Sequence, residues 1–235
     1  MALLTGLTAD GTEVPVQVKP DGALVAEGLD GPAGPAGPAG PAGTPGAPGP
    51  AGPAGPPGVG IGPWLASSWT ARTSAVDNDW RSICWSPELM LFAAVATTGT
   101  GNRVMTSPDG INWTARTSAV DNNWYSICWS PELMLFAAVA TTGTGNRVMT
   151  SPDGINWTTR TSAVDNNWVS ICWSPELMLF AAVANTGIGN RVMTSPDGIN
   201  WTARASAVDN DWFSICWSPE LMLFAAVAYT GTGNR

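Results

Sequence analysis

The chain has 235 residues, enough for one large domain or two small ones, and it is acidic, with 18 Asp and Glu against 10 Lys and Arg. This balance argues against binding to nucleic acid, because such binding depends on Lys and Arg that neutralise phosphates, and Lys19 is the only lysine. We therefore expect no nucleic acid among its partners.

The amino terminus and the apolar segments carry no sign of export or of a membrane span. Residues 1–5 lack the charged start and the sustained apolar stretch of a secretory signal. The longest apolar run, residues 89–96, is much shorter than the ~20 residues that a bilayer-spanning helix needs. We expect no membrane insertion and no export by the usual secretory route.

Residues 1–30 are predicted to form a small β unit. Two Asp-Gly turn pairs, at residues 10–11 and 21–22, accompany strand-like runs at residues 14–18 and 23–26. Pro15 is expected to confine its strand to a sheet edge, because proline has no backbone N–H to donate. Chains below ~40 residues usually need outside support to bury a core. We interpret this unit as an anchor, completed by partner chains or by a docking surface.

Residues 31–60 have a period of three. Glycine occupies every third position from Gly31 to Gly58, and Pro and Ala fill most positions between them. Only glycine fits at the axis of a collagen triple helix, and proline favours the extended polyproline backbone. The alternative is a disordered Pro/Gly-rich linker, but such linkers do not keep a strict glycine phase. We predict a collagen-like shaft of roughly 80 Å, which requires a homotrimer.

Residues 61–235 contain a 44-residue repeat, marked by Trp69, Trp113, Trp157 and Trp201. A fixed period in the forties with aromatic and turn landmarks is typical of a β-propeller, with one four-stranded sheet per repeat. The predicted fold class is therefore mainly β: a short β anchor, a collagen triple helix and a propeller-like domain of four copies. Two arrangements are open: residues 62–69 close a four-bladed ring, or the chain is part of a larger propeller.

The second repeat predicts the strands of one blade. Residues 124–130 are rich in strand-forming side chains, and residues 133–140 return as a strand apolar enough to be covered on both faces. Residues 147–150 start a third strand. A turn at residues 151–154 then leads into a fourth strand at residues 155–158.

The stretch Ser-Pro-Asp-Gly-Ile-Asn-Trp recurs at residues 107–113, 151–157 and 195–201. It resembles the Asp-box of sialidase-like propellers, although the Asp and Gly are adjacent here and the usual pattern separates them by one residue. The resemblance implies a structural turn whose Asp bonds nearby backbone and whose Trp packs between blades, and it implies no sialidase activity. The implied turn residues are Asp109, Asp153 and Asp197.

The first sixty residues resemble a second family. The sequence from Gly6 to Val18, followed by Leu24-Val-Ala-Glu-Gly-Leu29 and collagen triplets, is similar to the amino-terminal region of collagen-like fibre proteins of marine tailed bacteriophages. This resemblance implies an external appendage of the virion, such as a tail fibre, that is assembled in the host cytoplasm. It also implies that the amino terminus attaches to a tail or capsid protein.

The near-identical repeats differ at a few aligned positions, and these positions suggest a binding surface. All of them are expected on one rim of the propeller, whereas the turns of the opposite rim do not vary. The alternative explanation is that these solvated loops tolerate substitutions and vary without a binding function. The first variable set is Arg81, Tyr125, Val169 and Phe213, and the second variable set is Thr97, Thr141, Asn185 and Tyr229. Because Arg and aromatic residues often dominate interfaces, we predict a ligand-binding rim here.

Catalysis and metal binding find little support in the sequence. Each repeat has one cysteine, at positions 84, 128, 172 and 216, with no CxxC spacing and no His to complete a metal site. A small, buried, unbridged side chain is the favoured interpretation, and a four-cysteine metal site on the propeller axis is the alternative. No nucleophile–base pair stands out. We predict neither enzyme activity, nor a metal, nor any other cofactor.

Together these features favour a trimeric phage fibre whose propeller binds a host surface receptor or glycan, with avidity from three copies. The alternative is a structural decoration of the capsid, neck or tail without specific receptor binding. A bacterial surface adhesin of similar build would normally carry a secretory signal.

Overall fold

The computed structural model describes residues 4–7, 13–18, 24–26 and 69–235. The chain divides into one unit of residues 1–64 and a second of residues 65–235, which we describe separately. The predicted collagen-like shaft at residues 31–60 lies outside the described residues and stays a prediction.

The amino-terminal unit contains three antiparallel strands, β1 (Leu4–Leu7), β2 (Glu13–Val18) and β3 (Leu24–Ala26), in the order β1-β2-β3. The expectation that Pro15 restricts its strand to an edge is wrong, because β2 is the central strand. Pro15 lies opposite Thr5 of β1, whereas β3 pairs only with residues 16–18 of β2. Among the described residues, Pro15 pairs only with β1, where it lies opposite Thr5.

The repeat unit is all-β and consists of successive antiparallel sheets in which neighbouring strands follow one another along the chain. The first sheet holds β4 (Trp80–Ser86), β5 (Leu91–Ala96), β6 (Val104–Ser107) and β7 (Thr114–Arg116). The second holds β8 (Trp124–Ser130), β9 (Leu135–Ala140), β10 (Val148–Ser151) and β11 (Thr158–Arg160). The third holds β12 (Trp168–Ser174), β13 (Leu179–Ala184), β14 (Val192–Ser195) and β15 (Thr202–Arg204). The fourth holds β16 (Trp212–Ser218) and β17 (Leu223–Ala228). This architecture is propeller-like.

The sheets stack on one another through two apolar faces. The first strands of successive sheets, β4, β8, β12 and β16, contact their neighbours in turn. Successive side chains of the second strand point to opposite faces of the sheet. In the second sheet, Phe136 packs toward the first sheet, whereas Ala137 and Val139 pack toward the third. All three are fully buried, which explains why this strand is apolar throughout.

We call the side of a sheet that meets the preceding sheet its front face and the side that meets the following sheet its rear face. In the second sheet the front face presents Trp124, Ile127 and Trp129, which pack on Ala93 and Val95 from the rear of the first sheet. The equivalent residues form the cluster between the second and third sheets. The core of the repeat unit therefore lies between sheets rather than within one.

Polar bonds repeat at each junction between sheets. The Trp129 indole Nε1 donates to Glu88 Oε2 at 2.6 Å, and the Ile127 amide donates to Ser82 Oγ at 3.2 Å. The second bond matters because the first strand is the edge of its sheet, so half of its backbone groups lack a strand partner. Both bonds recur at the next two junctions with the same geometry.

Three strands of the repeat differ from the predicted bounds, and the third strand is displaced by only one residue, to Val148–Ser151. The second strand of the second sheet begins at Leu135, because Leu133 and Met134 remain in the turn: the Leu133 amide donates to Ser130 Oγ, and Met134 has a φ of 49°. The fourth strand occupies Thr158–Arg160 instead of residues 155–158. The Ile155 and Asn156 amides donate to the Asp153 side chain in the preceding turn, which accounts for this shift.

Among the described residues, no helix is long and apolar enough to cross a membrane.

Candidate functional site

A β-bulge in the first strand of every sheet holds the first variable set. In the first sheet, Trp80 lies opposite Ala96 and Ser82 lies opposite Val95, so Arg81 is an additional residue without its own partner. The same shift occurs at the other three equivalent positions. A bulge re-aims side chains and is common beside binding sites. The bulge therefore displaces, in each repeat, the aligned position whose side chain differs most in chemistry between the repeats.

The four members of the first variable set come together in one groove. They line it together with two serines, and we call it the variable groove; its lining is Arg81, Ser82, Tyr125, Ser126, Val169 and Phe213. Its volume is about 310 Å³, which falls at the lower end of the range for small-molecule sites. Each sheet contributes a residue of different chemistry, so the groove is asymmetric although the fold repeats.

Arg81 supplies the only cationic side chain of the variable groove. Its guanidinium lies 5.5 Å from the centre of the Tyr125 ring, and its Nε donates to Thr97 Oγ1 at 3.4 Å. The cation–π contact holds the exposed guanidinium over the aromatic face and leaves other N–H donors available. An anionic or hydroxyl-rich ligand matches such donors.

A second depression, which we call the side cleft, adjoins the groove through a shared residue. Asn185, Asp211, Phe213 and Tyr229 line it, and its volume is about 250 Å³. Phe213 is 61% exposed and Tyr229 is 79% exposed, so two aromatic surfaces face solvent. Asn185 Oδ1 is buried and has no hydrogen-bond partner within residues 69–235. Asp211 Oδ1 accepts from Arg191 at 2.8 Å, which holds the carboxylate in place.

The other two members of the second variable set have structural contacts. The Thr97 amide donates to the Asp79 carbonyl, and the Thr141 amide donates to the Asn123 carbonyl, each at 3.0 Å. Thr97 is buried, and the Thr141 carbonyl accepts from Arg147. Neither threonine lines the variable groove or the side cleft. The amides of Asn185 and Tyr229 make the same backbone contact, so the four members differ in whether they line a depression and not in how they hold the loop.

The turn aspartates are anchored by local hydrogen bonds. Asp153 Oδ1 accepts from the Ile155 and Asn156 amides at 2.8 and 2.7 Å, and Oδ2 accepts from the Asn156 side chain. Partial burial opposes ionisation of Asp153, yet these bonds outweigh it and lower the pKa of the carboxyl to about 2. The pKa of Asp197 is lowered to about 2 in the same way, and bonds from Asn112 and Ile111 hold the pKa of Asp109 well below its ordinary value.

These bonds predict an acid-sensitive stability. A carboxyl whose pKa is lower in the folded chain than in the unfolded chain stabilises the fold above the unfolded pKa of ~3.9. That stabilisation is lost as the pH falls from about 4 to about 2. We expect the melting temperature of an Asp153→Asn/Asp197→Asn variant to fall less over this interval than that of the wild type. Thermal unfolding at pH 5, 3 and 2 checks this, and parallel decreases would contradict it.

The four cysteines are free and lie along the first strands. Three are partly buried and pack against the clusters between sheets, and burial raises the pKa of Cys84 and Cys172 to about 12. Burial also raises the pKa of Cys128, and its neighbours Cys84 and Cys172 add to that shift. Cys216 is exposed, which differs from the expectation of a buried residue. In the described part of the chain, no group of three or more Cys, Asp or Glu could hold a metal ion.

Sequence reasoning missed three groups that line the two depressions. Ser82 and Ser126 follow the first variable set directly but do not vary between repeats, so comparison of the copies could not reveal them. Asp211 belongs to an aligned position that changes only between Asp and Asn. The sequence did not reveal the bulge, and the bulge brings the residues on either side of it to the same surface.

No protein-family model matches the sequence, and no curated protein matches it either. Among solved structures, the nidogen/laminin complex shares 13% identity over 64% of this chain and 57% of its own, with a TM-score of 0.49. The GH74 enzyme of Niastella koreensis shares 19% identity over 57% and 18% of the two chains, with a TM-score of 0.38. A luciferin-regenerating enzyme shares 13% identity over 64% and 52%, with a TM-score of 0.42. The chain thus spans less than two thirds of each, and similarities this weak support no functional argument.

Proposed function

We propose that the chain is a trimeric virion fibre protein whose propeller-like domain binds a glycan on the host cell surface. The collagen-type triplets and the phage-like amino-terminal sequence support the fibre part of the proposal. The variable groove carries the binding part, because it gathers the most variable position of all four repeats into one depression. Catalysis forms no part of the proposal.

The chemistry of the two depressions suits a sugar. Exposed aromatic rings such as Phe213 and Tyr229 can stack on the C–H face of a pyranose. The unpartnered Asn185 Oδ1 is an acceptor for a hydroxyl group, and binding would relieve the cost of leaving it buried without a bond. Arg81, which lines the variable groove, can bind a carboxylate or a phosphate. The preferred ligand is therefore a glycan with an acidic group.

Replacing Tyr125 and Phe213 with Ser should weaken adsorption of the particle to host cells. Both rings line the variable groove, and loss of a hot-spot aromatic residue costs ~2 kcal/mol or more, so the apparent affinity should fall by at least about thirtyfold. Avidity of the trimer will amplify the loss. The measurement is the adsorption rate of particles that carry the variant fibre.

A matched control is available on the turns of the same domain. Ile155 and Ile199 are 46% and 47% exposed and lie in the Asp turns, outside both depressions. Their double replacement with Ser removes a similar type of exposed apolar surface and should leave adsorption unchanged. Unchanged adsorption in the Tyr125/Phe213 variant with intact folding would instead favour the decoration hypothesis.

A further inference from the structure

The two ends of the stack of sheets expose faces that are buried at every junction inside it. On the front face, Ile83 of the first sheet is 54% exposed, whereas its counterparts in the other three sheets are at most 9% exposed. On the rear face, Val227 of the fourth sheet is 56% exposed, whereas its three counterparts are at most 1% exposed. Within residues 69–235, both faces therefore lack the partner sheet that covers the equivalent face at each internal junction.

We infer that the rear face of the fourth sheet docks onto the front face of the first sheet in a second copy of the chain. The three internal junctions supply the template, because each joins a rear face to a front face of nearly identical sequence. The contact would be heterologous, with different surfaces on the two partners, so three copies of a trimer could close into a ring through it.

The apolar parts of the two end faces correspond to an internal junction residue by residue. Internally, the rear-face Val139 and Ala137 pack with Ile171 and Trp173 of the next front face. At the ends, Val227 and Ala225 take the rear positions in β17, and Ile83 and Trp85 take the front positions in β4. Burying these side chains would remove apolar area from water on both partners, which favours the contact.

The hydrogen-bonding groups also correspond. At each internal junction a tryptophan indole donates to the glutamate of the preceding sheet at 2.6 Å. Glu220 is exposed, and its only bond within residues 69–235 is a 3.4 Å contact from Ser218, so the carboxylate is free to accept from Trp85 of a second copy. In the same way Ser214 Oγ can accept from the Ile83 amide, as Ser170 Oγ accepts from Ile215.

The charges of the two ends are complementary as well. Arg191 of the third sheet pairs with Asp209 at 3.9 Å and with Asp211 at 2.8 Å on the next sheet. The first sheet carries the same Asp-Asn-Asp sequence at residues 77–79, and Arg235 occupies the position equivalent to Arg191. A joint between copies would therefore place one arginine against two carboxylates, as at the third internal junction, and would disfavour a reversed orientation.

Amide hydrogen exchange on the full chain tests the contact. Peptides around Ile83 are distinguishable by mass because residue 81 differs between repeats. In the wild type, exchange around Ile83 should be slowed to nearly the rate around Ile127. Val227→Asp should speed exchange around Ile83 by at least about tenfold, because the aspartate cannot be buried against the apolar front face. Ile111→Asp, an exposed turn variant, should leave it unchanged.

Co-expression separates a joint between copies from closure within one chain. A Val227→Asp chain has an intact front face, and an Ile83→Asp chain has an intact rear face. When the two are produced together, the peptide that retains Ile83 should regain protection, because the intact rear face is supplied in trans. Failure to regain it would mean that the contact lies within one chain and would overturn the inference.

A milder variant keeps the test valid if Val227→Asp fails to fold. Glu220→Ala removes only the acceptor proposed for Trp85 and introduces no charge into an apolar face. It should speed exchange around Trp85 and leave exchange around Trp129 unchanged, because Glu88 remains. Wild-type protein that exchanges freely around Ile83, or variants that leave protection there unaltered, would show that no second copy covers this face.

Discussion

Replacing Trp124 with Ala should lower the free energy of unfolding of the repeat domain by about 3–5 kcal/mol, which is the usual cost of truncating a buried aromatic residue. Trp124 is fully buried between the first and second sheets, and its indole donates to the Val120 carbonyl at 3.0 Å. The substitution therefore leaves a cavity at a junction and also an unpaired carbonyl. Trp168→Ala should have a similar effect at the next junction.

Trp69 provides the control for the tryptophan variants, because it is a tryptophan of the same domain but is 91% exposed. Its replacement with Ala should change the stability by no more than about 0.5 kcal/mol. Chemical denaturation monitored by circular dichroism measures all three variants. Equal effects of Trp69→Ala and Trp124→Ala would contradict a core that lies between sheets.

Replacing Gly143 with Ala should destabilise the domain by roughly 2 kcal/mol or more, because an L-residue is strained at its φ of 108°. A Cβ there would also collide with the side chains of Asn122 and Asn146. These two residues are joined by hydrogen bonds from Asn122 Nδ2 to the carbonyl and side chain of Asn146, and the bonds connect the loop between β9 and β10 to the segment before β8. The collision would separate them and add the loss of both bonds.

Gly145 offers a matched comparison two residues later. Its φ of 67° also lies in the left-handed region, but nothing lies within 4 Å of a Cβ at that position. Gly145→Ala should therefore cost only the backbone term of about 1 kcal/mol. Thermal unfolding of the two variants separates strain from collision, and equal losses of stability would show that the asparagine pair does not constrain the loop.

Some elements of the repeat could be predicted from the sequence because they depend on local patterns. The first strand, Trp124–Ser130, was predicted with the bounds that the structure shows, since strand-forming residues end at a proline. The covering of the second strand on both faces was also confirmed, because a run such as Leu-Phe-Ala-Ala-Val-Ala has no polar side to place in water.

The predicted fourth strand was wrong because a side chain competes with the sheet for backbone donors. The Asp153 carboxylate accepts from the Ile155 and Asn156 amides, so these residues stay in the turn and pairing begins only at Thr158. Strand propensity favoured Ile155 and Trp157, but it carries no information about this competition. Met134 illustrates the same limit, since its left-handed backbone is rare for a residue other than glycine.

The candidate site was predictable in its residues but not in its shape. Alignment of the repeats identifies Arg81, Tyr125, Val169 and Phe213 as variable, whereas only strand pairing shows that a bulge carries each one into the same groove. The division of the second variable set also follows from packing: Asn185 and Tyr229 line the side cleft, and Thr97 is buried beneath the rim.

A glycan array probed with the purified full-length chain tests glycan binding by the variable groove most directly. We expect the wild type to bind a restricted group of acidic glycans, the Tyr125→Ser/Phe213→Ser variant to lose that binding, and the Ile155→Ser/Ile199→Ser variant to retain it. Binding that survives in the Tyr125/Phe213 variant, or a wild-type chain that binds none of the glycans, would contradict the proposal.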